Sequence, residues 1–276
     1  MSWRNARRHP SFLIGVVLTA LVLATAFVAL VWTPHNPARI AMAHRLEGPT
    51  AAYWLGTDHF GRDVLSQIMV GAQNALRVAV AAVLLGAALG VLLGLTAASA
   101  RGWIEEGLMR VCDFTYAFPA VLLAIVIAAL LGVGGRTTIL AIAIFTVPVF
   151  ARLSRGAALE VWVKDFVTAA RAAGRGPAQV TLRHVLPNIA GLLIVQASTQ
   201  IALAIVVEAG LSYLGIGLQP PETSLGKMLS EAQTHMARAP LLAVFPGLAI
   251  AIAVLGFNLL GDGVRDLLDP RLRRAR

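Results

Sequence analysis

Six apolar stretches of roughly 20 residues constrain this chain more than any other feature; they fall at residues 11–33, 76–98, 111–132, 138–155, 189–210 and 241–261. An α-helix rises 1.5 Å per residue, so about 20 residues cross the roughly 30 Å hydrocarbon core of a bilayer. The fold class that follows is an all-α polytopic membrane protein with six transmembrane helices. Composition agrees, since 58% hydrophobic and 13% charged residues do not describe a water-soluble surface. The fourth stretch is the shortest and carries Pro148, which blurs its ends.

The net charge of +9 does not point to nucleic acid, because the arginines sit at the ends of apolar runs with no interleaved aromatics. Arg4, Arg7 and Arg8 before the first run have the charge order of a secretory signal, but the run is too long for the apolar part of one and reads as an uncleaved span. With the N-terminus inside, 16 Lys and Arg fall on the cytoplasmic side and 7 outside, which predicts both termini in the cytoplasm. Trp3, Trp32, Trp54, Trp103 and Trp162 all fall at or beyond span ends, where an indole sits at headgroup level. Gly and Ala within the spans, as at Gly86, Gly90 and Gly94, favour close helix packing.

These features divide the chain into a cytoplasmic N-terminus (1–10), a first span (11–33), an outer segment with an interfacial helix (34–75), a core with five spans and an inner loop (76–271), and a basic tail (272–276). The interfacial helix is expected from Thr57 or Asp58 as a cap and from Phe60, Val64, Ile68 and Ala72 at helical spacing, with Asp58 and Arg62 paired at i, i+4. The inner loop reads as two short helices. Residues 165–173 are good helix formers, Gly174 and Gly176 suit a C-terminal cap, Pro177 suits the first turn of a second helix, and Pro187 stops it before span five.

Several chemistries lack their residues. Gly226-Lys227 is followed by Met228 and has no glycine five positions earlier, so there is no phosphate-binding loop. Neither G-x-S-x-G nor H-E-x-x-H occurs, and all six histidines lie outside the span cores. The single Cys112 offers neither a disulfide nor a cysteine metal site.

The inner loop, with Thr168-Ala169-Ala170, then Gly174, and later His184-Val185-Leu186-Pro187, resembles the EAA loop of bacterial ABC importer permeases. Thr168 stands where that family usually has Glu. The outer segment Gly56-Thr57-Asp58-His59-Phe60-Gly61-Arg62-Asp63, the stretch from Glu208 to Pro221 and that from Gly256 to Arg271 resemble, in matching order, the C-type subunits of dipeptide, oligopeptide and nickel permeases.

The resemblance implies a type I permease fold in a bacterial inner membrane, a heterodimer with a homologous permease, two ATPase subunits and an extracytoplasmic substrate-binding protein. ATP and Mg would sit on the ATPases, leaving this subunit with no cofactor and no catalysis of its own. The cargo implied is a short peptide, a similar small solute or a nickel complex, moved by alternating access. ATPase coupling would fall to Thr168, Ala169, Ala170, Gly174, His184, Leu186 and Pro187, and contact with the binding protein to Gly56, Thr57, Asp58, Gly61, Arg62 and Asp63. From their polarity within or beside the spans, Gln196, Thr199, Gln200, Glu208 and Asn258 are candidates to line the pathway. The rival readings are a secondary transporter or channel working without ATPases, which would want charged or broken helices at the midplane, and a membrane-embedded enzyme, which would need a cluster of acids, His or Cys.

Overall fold

The computed structural model describes residues 10–268; the arginines before Pro10, Trp3 and the tail including Arg271 lie outside the described residues. Every long apolar stretch but one forms a single helix, because a helix satisfies its backbone within the segment. These are α1 (Pro10–Val31), α2 (Val64–Ala100), α5 (Gly135–Trp162), α7 (Pro177–Tyr213) and α9 (Leu241–Leu268). The exception is the third stretch, which is split into α3 (Gly102–Ala117) and α4 (Ala120–Leu131), bent by 90° at the break. Pro119 explains the break: it lacks an N–H, and it drives Phe118 into an extended conformation (φ −83°, ψ 132°). Counting the bent pair as one gives six candidate spans among the described residues.

Two further differences from expectation have local causes. No interfacial helix forms over 57–72. Gly56 and Gly61 adopt φ of +78° and +75°, outside the helical region, and the helix starts only at Val64, running directly into span two. Asp63 caps it, accepting a 2.9 Å hydrogen bond from the Ser66 N–H. Pro187 does not end a helix either. A π-turn over Thr181–Val185 lets the Leu186 N–H bond the Thr181 carbonyl, which absorbs the donor missing at Pro187, and α7 continues through 37 residues.

The core is centred on α2 and α5. Gly86, Gly90 and Gly94 form a stripe at a spacing of four, and a Cβ at Gly90 would lie 2.5 Å from the Val147 carbonyl oxygen. The two backbones therefore touch, which matters in lipid, where packing rather than water exclusion holds helices together. Val78, Ala82, Val83, Ile142, Phe150, Ala202, Ile205 and Phe257 complete this buried cluster. Large apolar side chains such as Phe27, Leu84, Leu92 and Leu130 point outward, as a lipid-facing surface requires.

Each end of the bundle has its own cluster. At one end Val64, Ile68 and Leu242 pack with Leu225 and Met228 of a short helix, α8 (Leu225–Gln233), beneath Leu46 and Leu55 of the 32–63 segment. At the other end Leu95, Val161 and Trp162 pack with Val167 and Ala170 of α6 (Asp165–Ala172) and with Val180, Val185 and Ile189 of α7.

Candidate functional site

The 163–187 end presents a short helix on a firm base. Val167 and Ala170 are buried, while Thr168, Ala169 and every residue from Arg171 to Gln179 are exposed. The turn after α6 is a Schellman cap: the Gly174 N–H bonds the Arg171 carbonyl (2.9 Å) and the Arg175 N–H bonds the Ala170 carbonyl (3.2 Å). This cap needs the left-handed φ of +80° that Gly174 adopts. A Cβ there would meet nothing within 4 Å, so the glycine leaves an open notch beside the helix. His184 is half-buried with Nε2 2.9 Å from an Arg175 guanidinium nitrogen; Leu186 is half-buried and Pro187 exposed. Six of the seven expected coupling residues thus reach at least partly to the surface, and Ala170 turns inward.

The opposite end is built differently. Thr57, Asp58 and Asp63 are buried; the polar atoms of Thr57 and Asp58 are spent on the chain itself, whereas Asp63 spends one carboxylate oxygen on Ser66 and leaves the other without a partner among the described residues. The Thr57 hydroxyl bonds the His44 carbonyl and accepts from the Glu47 N–H. One Asp58 oxygen accepts from the Phe60 and Arg62 N–H groups (2.8 and 2.9 Å), and the other from Arg62 Nε (2.6 Å) and Gln67 Nε2 (3.0 Å). The Asp58–Arg62 pair expected on a helix therefore exists in a loop. Arg62 also reaches Glu231 of α8 at 2.7 Å, tying the 32–63 segment to the segment before the sixth span. Glu231 lies 169 residues from Arg62 and carried no local signal that would have marked it. Asp58→Ala should cost about 2–3 kcal/mol, by stranding the buried Gln67 amide and half of the Arg62 contacts; the melting temperature of the purified chain in detergent checks this, and an unchanged value would contradict the buried geometry.

Asp58, His59 and Glu231 bring one ligand atom each within 4.8 Å of one another. Arg62 already pairs with both carboxylates, and its positive charge beside them disfavours a metal ion there. Burial pushes the His59 imidazole below its ordinary 6.5, outweighing the upward pull of Asp58 and Glu231. A histidine favoured neutral in the folded state supports stability above pH 6.5 and withdraws that support as the pH falls below it. Melting followed from pH 7.5 to 5.5 should fall more steeply for the wild type than for His59→Asn.

The pathway candidates lie in different surroundings. Gln200 is buried against Ala124, Ile142 and Thr146, whereas Thr199 is exposed on the side of α7 that faces Gly261. Gln196 and Asn258 are half-buried. Glu208 is fully buried and accepts hydrogen bonds from Ser212 (2.8 Å) and from Ser224 (3.0 Å), the residue that caps α8. It braces the corner between α7 and α8.

Comparison with known proteins places this architecture. Residues 90–274 match the family described as binding-protein-dependent transport system inner membrane component. The glutathione transport system permease protein GsiD of Pectobacterium atrosepticum is 41% identical over 98% of this chain and 90% of its own length. GsiD of Escherichia coli is 42% identical over the same shares. Among solved structures, an inward-facing MetNI methionine ABC transporter aligns with a TM-score of 0.62 at 17% identity, over 74% of this chain and 97% of that one. The helical fold is thus that of ABC importer permeases. A match across two thirds of the chain, joined to relatives of this identity along nearly its whole length, makes the protein a member of the binding-protein-dependent inner membrane components, the permease subunits of ABC importers.

Proposed function

We propose that this subunit carries short peptides or peptide-like solutes, with glutathione the first to test, as half of a heterodimeric pathway driven by two ATPase subunits. The observation that carries the cargo reading is the near full-length similarity to the GsiD glutathione permeases. Both termini face the cytoplasm in this reading, supported by the 16 to 7 distribution of Lys and Arg. The 163–187 end is then the inner one, and α6 with its exposed Thr168 and Ala169 and the notch at Gly174 is the contact for an ATPase. Thr168 brings no charge, so docking there rests on shape and close approach. The other end meets the substrate-binding protein. Because Thr57, Asp58 and Asp63 are buried, they act by shaping the 32–63 segment, and partly exposed Arg62 is the member of that set with a free edge.

The test is uptake of labelled glutathione in cells lacking the chain and in cells carrying it on a plasmid. Uptake that depends on the chain, together with recovery of a second permease and ATPase subunits with the tagged protein, is the expected result. A tagged chain that purifies alone and transports without ATP would sink the proposal.

A further inference from the structure

A cleft of about 450 Å³ opens between residues 37–67 and residues 220–231, at the end assigned above to the outside. That volume lies within the range of small-molecule sites. Its walls combine apolar side chains such as Ile40 and Phe60 with four charged ones, Arg62, Glu222, Lys227 and Glu231. Three of the four are committed. Arg62 bridges Asp58 and Glu231, and Glu222 pairs with Arg77 at 2.5 Å. Lys227 makes no ion pair or side-chain hydrogen bond among the described residues. Glu222 and Glu231 each spend one carboxylate oxygen on an arginine, and the second makes no hydrogen bond among the described residues.

The charges within and beside the cleft therefore cancel, yet its lining offers both a cation with no partner, Lys227, and acceptor oxygens with spare capacity, on Glu222 and, one helical turn from Lys227, on Glu231. A singly charged anion or cation would leave one of these sets unanswered. A molecule that is neutral overall and carries both signs answers both.

We propose that this cleft is a binding site for small zwitterions, amino acids or short peptides, with the solute carboxylate on Lys227 and its ammonium at Glu222 and Glu231. The inference rests on the peptide-permease reading and names a site for that cargo on this subunit, ahead of the membrane crossing. Lys227 supplies a compact charge with three donors, which suits a carboxylate, and the apolar wall takes the side chains without selecting strongly among them.

The assembled transporter, reconstituted in nanodiscs without its binding protein, is titrated by calorimetry with trialanine, its C-terminal amide and its N-acetyl derivative. Trialanine should bind, and each blocked form should bind about tenfold more weakly or worse, as loss of one charged hydrogen bond requires. Lys227→Met should weaken trialanine by about tenfold and erase the difference between acid and amide, and Lys227→Arg should restore it. A purely structural lysine would leave the ratio of acid to amide unmoved. No trialanine binding, binding indifferent to both blocking groups, or a Lys227→Met protein that still prefers the acid would each overturn the site. So would a carbodiimide crosslink from Lys227 to an acidic residue of the substrate-binding protein, which would make the cleft a protein contact. Trialanine binding is read on the purified transporter and cellular glutathione uptake on the cargo, so either can fail while the other stands.

Discussion

Gly174→Trp is expected to leave the protein in the membrane at its normal level and to lower uptake about tenfold or more. The notch at Gly174 is open to solvent, so the indole meets no atom of this chain within the reach of its Cβ. What it blocks is the space a partner would occupy beside Thr168 and Ala169. A tenfold fall needs only about 1.4 kcal/mol of lost docking, less than a misplaced aromatic ring imposes on a tight contact. The left-handed φ of +80° adds a conformational cost of about 1–2 kcal/mol for any L side chain, so Gly174→Ala is the necessary control. Strain without bulk should leave most of the uptake. A tryptophan variant that still recovers ATPase subunits in normal ratio and transports normally would remove α6 from the coupling role.

At the opposite end, Gly61→Val should collapse the local fold. A Cβ at Gly61 would lie 1.8 Å from the Ala41 carbonyl oxygen, and the φ of +75° is hostile to a β-branched residue. Ala41 cannot step back, since its own N–H is bonded to the Phe60 carbonyl at 3.0 Å. The loss should be at least about 3 kcal/mol, seen as protease cleavage within residues 34–63 and a lower steady-state level. Gly48, in the same segment with open space around it, gives the comparison, and Gly48→Val should be close to silent. Equal behaviour of the two variants would mean that the crossing of Ala41 and Gly61 is not what holds the segment.

Hydropathy located the helices because the bilayer imposes one length and one kind of surface, and five of the six apolar runs became unbroken helices. What escaped it was the conformation of particular residues. The bend at Phe118 was written in the Phe-Pro step, a steric signal that an apolar window averages away. Pro187 misled in the other direction, because a π-turn can absorb a proline and only the backbone geometry reveals it. The helical spacing of Phe60, Val64, Ile68 and Ala72 was real from Val64 onward, yet the positive φ at Gly61 fixes the residues before it as loop. The short helices of the 163–187 segment were legible since their caps are local: Gly174 and Pro177 act within a few residues. The partners of Arg62 and Glu208 at Glu231 and Ser224 lie far along the chain and became visible only when the helices were packed.

The π-turn that carries α7 past Pro187 also settles how stiffness is shared out. At 1.5 Å per residue the 37 residues of α7 form a strut about 55 Å long, with its foot among Val167, Ala170 and Val180 and its head at the Glu208–Ser212–Ser224 corner. The α3–α4 pair, by contrast, is an elbow, jointed at a right angle. The α6 end and the rim of the zwitterion cleft are thus joined by one continuous helix, whereas the α3–α4 pair beside it is broken. A hinge introduced midway along α7 would then disconnect the two ends of the bundle while leaving each of them intact.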